Sequence, residues 1–126
     1  MKYFYIPCAI LALLLSLSLL NTQAMDGYIT AWCDELSAAQ EAADGGNWTD
    51  AEARIRSVHE VWDKKQSYFH IVSVHAELDE AEALLAKSLS FALDRDDAEF
   101  RANTAELITQ LHLLSEIQEV SIKNIL

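Results

Sequence analysis

Residues 49–92 read TDAEARIRSVHEVWDKKQSYFHIVSVHAELDEAEALLAKSLSFA, and the phasing of their apolar positions decides the fold. In the first half, Ala51, Ile55, Val58, Trp62, Lys65 and Phe69 recur at alternating steps of four and three. That spacing puts side chains on one stripe of a helix, interrupted here only by Lys65. In the second half the stripe is Ile71, Val74, Leu78, Leu85, Leu89 and Ala92. At about 100° per residue it lies nearly opposite the first stripe. One straight helix would bury one side in its first half and the other side in its second. A turn near residues 66–70 brings both stripes into one core, although no Gly or Pro marks the place. The turn is the expected arrangement; a single long helix packed on different sides is the alternative.

The flanking segments extend the helical pattern in both directions. Upstream, Thr49-Asp50-Ala51-Glu52 matches a capping box, in which hydroxyl and carboxylate satisfy each other's backbone amides. Before it, Asp44-Gly45-Gly46-Asn47 breaks the chain and offers glycine for a left-handed C-terminal cap. Residues 26–43 place Ile29, Trp32 or Cys33, Leu36, and Ala39 or Ala43 three or four apart, which predicts another helix with Gly27 as a candidate hinge at its start. Downstream, Asp94-Arg95-Asp96-Asp97 supplies capping acids. Phe100, Leu107, Ile108, Leu111, Leu114 and Ile117 then mark a last helix. Gly and Pro total three and one in 126 residues, a composition that favours helix almost throughout. The predicted fold class is all-α: an N-terminal transmembrane helix followed by a small antiparallel three- to four-helix bundle.

Residues 4–20 contain no charged side chain. Two readings of this run stay open. A signal anchor needs roughly 17–25 apolar residues, and residues 3–20, extended by the weakly polar 21–25, reach that range. A cleaved signal peptide needs small residues at a processing site, and Thr22-Gln23-Ala24 supplies a mediocre one. The anchor is the preferred reading, with residues 1–25 as the membrane segment and 26–126 as the domain beyond it. The net charge of the chain is −11. Lys2 is the only charge ahead of the run, so the part beyond carries 8 Lys+Arg against 20 Asp+Glu, or −12. A basic end followed by an acidic body predicts an extracytoplasmic C-terminal domain on a single-pass protein, or a secreted one after cleavage. Such acidity argues against nucleic acid as a partner, because phosphate backbones would be repelled.

Chemistry-bearing motifs are sparse. Cys33 is the only cysteine beyond the apolar run, so no disulfide forms within the domain, and it reads as a small hydrophobe. The pairs His59 with Asp63, His75 with Asp79, and His112 with Glu116 are each four apart. None falls in a Glu-x-x-His or His-Glu-x-x-His pattern, so no metal or other cofactor is expected. No nucleophile elbow or phosphate loop is present, and an enzymatic role is not expected. Asn47-Trp48-Thr49 matches a glycosylation sequon, a short and common pattern. The candidate buried polar or ligand-contacting residues are His75 and Glu82, with Trp62 beside them. His75 and Glu82 lie seven apart at the edge of the second stripe, where a polar pair commonly fixes register through a partner on another helix.

Trp62, Phe69, His75, Glu77, Glu82 and the closing Asn124-Ile125-Leu126 resemble an uncharacterised family of short, membrane-anchored helical proteins from spore-forming bacteria, domain of unknown function 4363. The resemblance runs over nearly the whole chain. It implies an uncleaved anchor and an extracytoplasmic helical domain, draws attention to His75 and Asn124, and carries over no activity. The expected function is a non-enzymatic interaction or scaffolding module of the cell envelope, held by its N-terminal helix and contacting a protein partner or a second copy of itself. The alternative is an extracytoplasmic sensor or ligand- or metal-binding domain centred on His75 and Glu82.

Overall fold

Heptad spacing, read along the chain, lays down four helices that close into a ring. The computed structural model describes the backbone of residues 2–72 and 75–125, and the side chains of these except residues 2, 21–22, 68–72, 75, 118–119 and 121–125. The helices are α1 (Lys2–Asp44), α2 (Trp48–Val72), α3 (His75–Asp94) and α4 (Asp97–Ile125). α1 packs on α2 and α4, and α3 packs on α2 and α4, the neighbour pattern of an up-down-up-down bundle with short connections.

Each helix contributes a stripe with alternating steps of three and four: Met25, Ile29, Trp32, Leu36, Ala39 and Ala43 from α1, and Ala51, Ile55, Val58 and Trp62 from α2. α3 gives Leu78, Ala81, Leu85, Ser88 and Ala92, and α4 gives Phe100, Thr104, Leu107, Leu111 and Leu114. All are buried. This period, slightly shorter than the helical repeat, keeps one seam per helix facing the core over several turns.

α2 and α3 are separate helices packed against each other. α2 runs through residues 66–70 and ends at Val72, so the turn expected near 66–70 is not found there. Two stripes on nearly opposite sides demand a reversal, but the phasing alone leaves its position free by a turn of helix. Phe69, Ile71 and Val74 of the anticipated stripes lie outside the described side chains.

The two remaining connections share one geometry. Asn47 N–H donates to Ala42 O at 2.8 Å and Gly46 N–H to Ala43 O at 3.0 Å, with Gly46 at φ 80°. Asp96 N–H donates to Phe91 O at 3.0 Å and Arg95 N–H to Ala92 O at 3.2 Å, with Arg95 at φ 55°. Both are Schellman motifs, which satisfy carbonyls left over at a helix end. The following helices start on side-chain caps. Asn47 Oδ1 accepts from Asp50 N–H at 3.2 Å, and Asp96 Oδ1 from Glu99 N–H at 3.3 Å. The cap of α2 is therefore Asn47 and not Thr49, because Trp48 and Thr49 already have helical backbone. Asn47 and Asp96 each end one motif and begin the next.

The N-terminal apolar run and the first bundle helix form one element. α1 has 43 residues, about 65 Å of helix, and it passes Gly27 without a break, so the hinge expected there is absent from this structure. A Cβ at Gly27 would meet nothing within 4 Å. Pro7 is the sixth residue of α1, where its missing N–H removes one backbone bond near the start of the helix. The apolar side chains of the lower part are exposed, among them Phe4, Ile6, Ile10, Leu13, Leu14 and Leu20. From Met25 onward α1 is part of the core. The lower part is long and apolar enough to cross a membrane, with mean hydropathy 2.1 and none of its best window buried.

Candidate functional site

The most varied side-chain chemistry gathers at the end of the bundle where α1 emerges from it. Trp62 is buried there against Trp32, with ring centroids 5.3 Å apart at 53°. Trp32 in turn stacks on the half-buried Tyr28 at 5.9 Å. Lys65, the interruption in the α2 stripe, holds its ammonium 5.2 Å from the Tyr28 ring centroid. A lysine can occupy a seam position when its stem lies along apolar surface and its charge rests on an aromatic face.

Polar side chains tie neighbouring helices at the same end. Gln66 Nε2 on α2 donates to both carboxylate oxygens of Glu82 on α3, at 3.3 and 3.4 Å. Gln110 Nε2 on α4 donates to Glu77 Oε2 at 2.7 Å and to Glu77 O at 3.2 Å. Ser115 Oγ on α4 donates to Asp26 Oδ1 on α1.

Of the three residues singled out from the sequence, two are placed by their side chains. Glu82 is half-buried with Gln66 as its partner, and Trp62 is a core residue. His75 is the first residue of α3 and its side chain lies outside the described residues, as do the side chain of Asn124 and the whole of Leu126. Glu82 and Gln66 thus form a hydrogen-bonded pair across the α2–α3 contact.

The periodicity of apolar residues does not mark a polar cluster that lies inside the core. Asn103 Nδ2 donates to Leu84 O at 2.8 Å and to Ser88 Oγ at 2.7 Å, and Ser88 Oγ lies 3.4 Å from Thr104 Oγ1. Ser88 and Thr104 are fully buried and Asn103 nearly so. These groups satisfy one another across the α3–α4 contact, as buried polar atoms must. A signal for them exists in the spacing. The α4 stripe jumps seven residues from Phe100 to Leu107, and the position one turn after Phe100 is Thr104, with Asn103 beside it.

The family model described as "Domain of unknown function (DUF4363)" matches residues 23–125. The chain belongs to this family. The match begins two residues before Met25, the first core residue of α1, and ends with α4. The DUF4363 region thus coincides with the four-helix bundle and leaves out the exposed apolar run. No curated protein and no solved structure matches the chain.

The outer surface of the DUF4363 bundle carries local ion pairs. Arg54 bridges Glu35 on α1 and Asp50 on its own helix, at 3.3 and 3.0 Å. Arg101 on α4 reaches Asp44 at the end of α1 and Asp97 on α4. His59 and Asp63 pair at 3.2 Å. Exposed pairs of this kind are screened by solvent and add little to stability. Among the described residues, no group of three or more His, Cys, Asp and Glu side chains is arranged to hold a metal ion. Cys33 is buried in the core. Burial, with Asp34 adding to it, pushes its thiol up to about 11, away from the thiolate form that reacts or binds metal. Cys8 is exposed on the apolar run.

Proposed function

We propose that this DUF4363 chain is a non-enzymatic, single-pass membrane protein of the cell envelope. Residues 1–25 are its anchor, and residues 26–126 form an acidic extracytoplasmic module. The observation that carries the reading is the unbroken α1. Its lower part presents apolar side chains with no protein cover, and its upper part is a full member of the bundle core. A helix shared in this way fixes the bundle against the membrane, where a flexible tether would let it wander. Lys2 ahead of the run and Asp26 as the first charge after it support an outward bundle.

Among the described residues the core is lined with apolar side chains, and the buried Ser88, Asn103 and Thr104 serve one another. That leaves the outer helical faces for recognition, by another protein or by a second copy. Site-specific photo-cross-linking from exposed bundle positions in intact cells tests this, together with protease access to the bundle from outside. A discrete cross-linked neighbour and external cleavage are the expected results. A bundle protected by the intact membrane, or released by alkaline carbonate, refutes the anchored topology, and no cross-linked species from any face refutes the interaction role.

A further inference from the structure

We infer that the C-terminal end of α4 is a second membrane contact, in which Ile117 and Val120 rest in the headgroup layer of the bilayer that α1 crosses and Leu113 continues their face at its upper edge. This rests on the anchored reading above. The three residues are spaced four and three apart, on one side of the helix. Leu113 and Val120 are 39% and 54% exposed, and with Ile117 and Glu116 they line an open groove of about 300 Å³.

The height of this face relative to α1 is fixed by two contacts. Ser115 bonds Asp26, and Gln40 Nε2 bonds Arg101 O at 3.5 Å. In both pairs the residue numbers add to 141, so the two antiparallel helices keep one register over four turns. Val120 therefore lies level with residue 21 of α1, Ile117 with residue 24 and Leu113 with residue 28. At 1.5 Å per residue these sit about 1.5, 6 and 12 Å above Leu20, the last large apolar residue of the exposed run. The headgroup layer on one side of a bilayer is about 5–7 Å thick. Val120 and Ile117 fall inside it, and Leu113 just beyond it.

The same stripe followed away from the membrane turns polar. One heptad back from Leu113 is Glu106, and one heptad back from Ile117 is Gln110, which is engaged with Glu77. A helix of another protein laid along α4 would call for an apolar stripe that continues up the bundle. An apolar face confined to the height of the bilayer edge matches lipid, into which interfacial helices sink one apolar side. The backbone of α4 also continues as helix to Ile125, past the level of Leu20.

The test uses the full-length chain carrying Cys8→Ser and Cys33→Ala, with single cysteines in turn at Leu14, Ala105, Leu113, Ile117 and Val120. Each is labelled with a small environment-sensitive fluorophore and reconstituted in phosphatidylcholine–phosphatidylglycerol vesicles, with or without lipids brominated near the headgroup or deep in the chains. Unchanged helical content and unchanged emission from Trp32 and Trp62 certify that each labelled chain is folded. Labels at Ile117 and Val120 should be blue-shifted, quenched by the shallow bromolipid and protected from aqueous iodide. The label at Ala105 should behave in the opposite way, with Leu113 intermediate. Iodide quenching at Ile117 and Val120 equal to that at Ala105 overturns the inference while Leu14 remains quenched by deep bromolipid. Excimer formation between pyrene labels at Val120 of two copies also overturns it, in favour of a self-association surface. Loss of deep quenching at Leu14 instead removes the anchored reading, and this inference with it.

Discussion

Truncating Asn103 to alanine removes the side chain that locks α4 to α3 in mid-core. Its amide makes two hydrogen bonds, at 2.8 Å to Leu84 O and 2.7 Å to Ser88 Oγ, with the side chain nearly out of water. Each such bond is worth about 1 kcal/mol net, and the unfilled space left by the carboxamide adds about another. Alanine returns about 0.5 kcal/mol in helix propensity. The balance is a loss of about 2–2.5 kcal/mol. Ser88→Ala should cost less, about 1 kcal/mol, because Asn103 retains Leu84 O while Thr104 loses its neighbour. The two substitutions share one bond, so the double variant should fall short of additivity by about 1 kcal/mol. Urea titration of the full-length chain in mild detergent, followed by the emission of the buried Trp32 and Trp62, measures all four corners of the cycle. Additive effects, or an Asn103→Ala loss below about 0.5 kcal/mol, would refute the claim that this cluster is a coupled, buried network.

Four further outcomes follow from particular backbone and core positions. Leu36 is fully buried at the centre of α1, and Leu36→Ala should lower the unfolding free energy by about 3 kcal/mol in the same titration. Arg95 and Gly46 hold equivalent left-handed positions. Arg95→Gly should raise thermal stability by roughly 0.5–1 kcal/mol, whereas Gly46→Ala should lower it by about 1 kcal/mol, and equal signs for the two would contradict the Schellman assignment. Gly27→Ala meets no neighbour, so it should stabilise α1 by up to about 1 kcal/mol; slower amide exchange at residues 24–30 would show it, and faster exchange would count against a continuous helix. The Cys33 thiol is held at about 11 against its ordinary 9.0. The folded chain thus keeps a proton that the unfolded chain releases between those values. Stability should be unaffected by this group below pH 9 and fall as pH rises from 9 towards 11, and Cys33→Ala should abolish that slope in denaturation midpoints.

The legibility of the candidate site differed from residue to residue. Trp62 fell on a seam and is a core residue, which spacing alone indicates. Glu82 lay at a seam edge and is tied across the helix pair, but its partner Gln66 carried no distinguishing mark in the chain. Asn103 and Thr104 are polar, so apolar periodicity does not mark them, even where the heptad positions call for occupants. The capping box at Thr49 was a genuine local pattern that lost to Asn47. The Schellman turn already delivers Asn47 to the capping position, and helix begins two residues earlier than the box requires.

The sequence by itself determined the helical class, the exposed apolar run, the charge asymmetry about it and the two seams of the central segment. All are properties of local spacing and composition, which survive without knowledge of neighbours. Tertiary structure decided three other things. It made the N-terminal run and the first bundle helix a single rod, because packing from Met25 onward supports a helix that Gly27 alone would weaken. It set the α1–α4 register through Asp26 with Ser115 and Gln40 with Arg101, pairs far apart in the chain. That register alone places Ile117 and Val120 near the height where the apolar run ends. Spacing along one helix shows which residues share a face, but only packing between helices shows what that face meets.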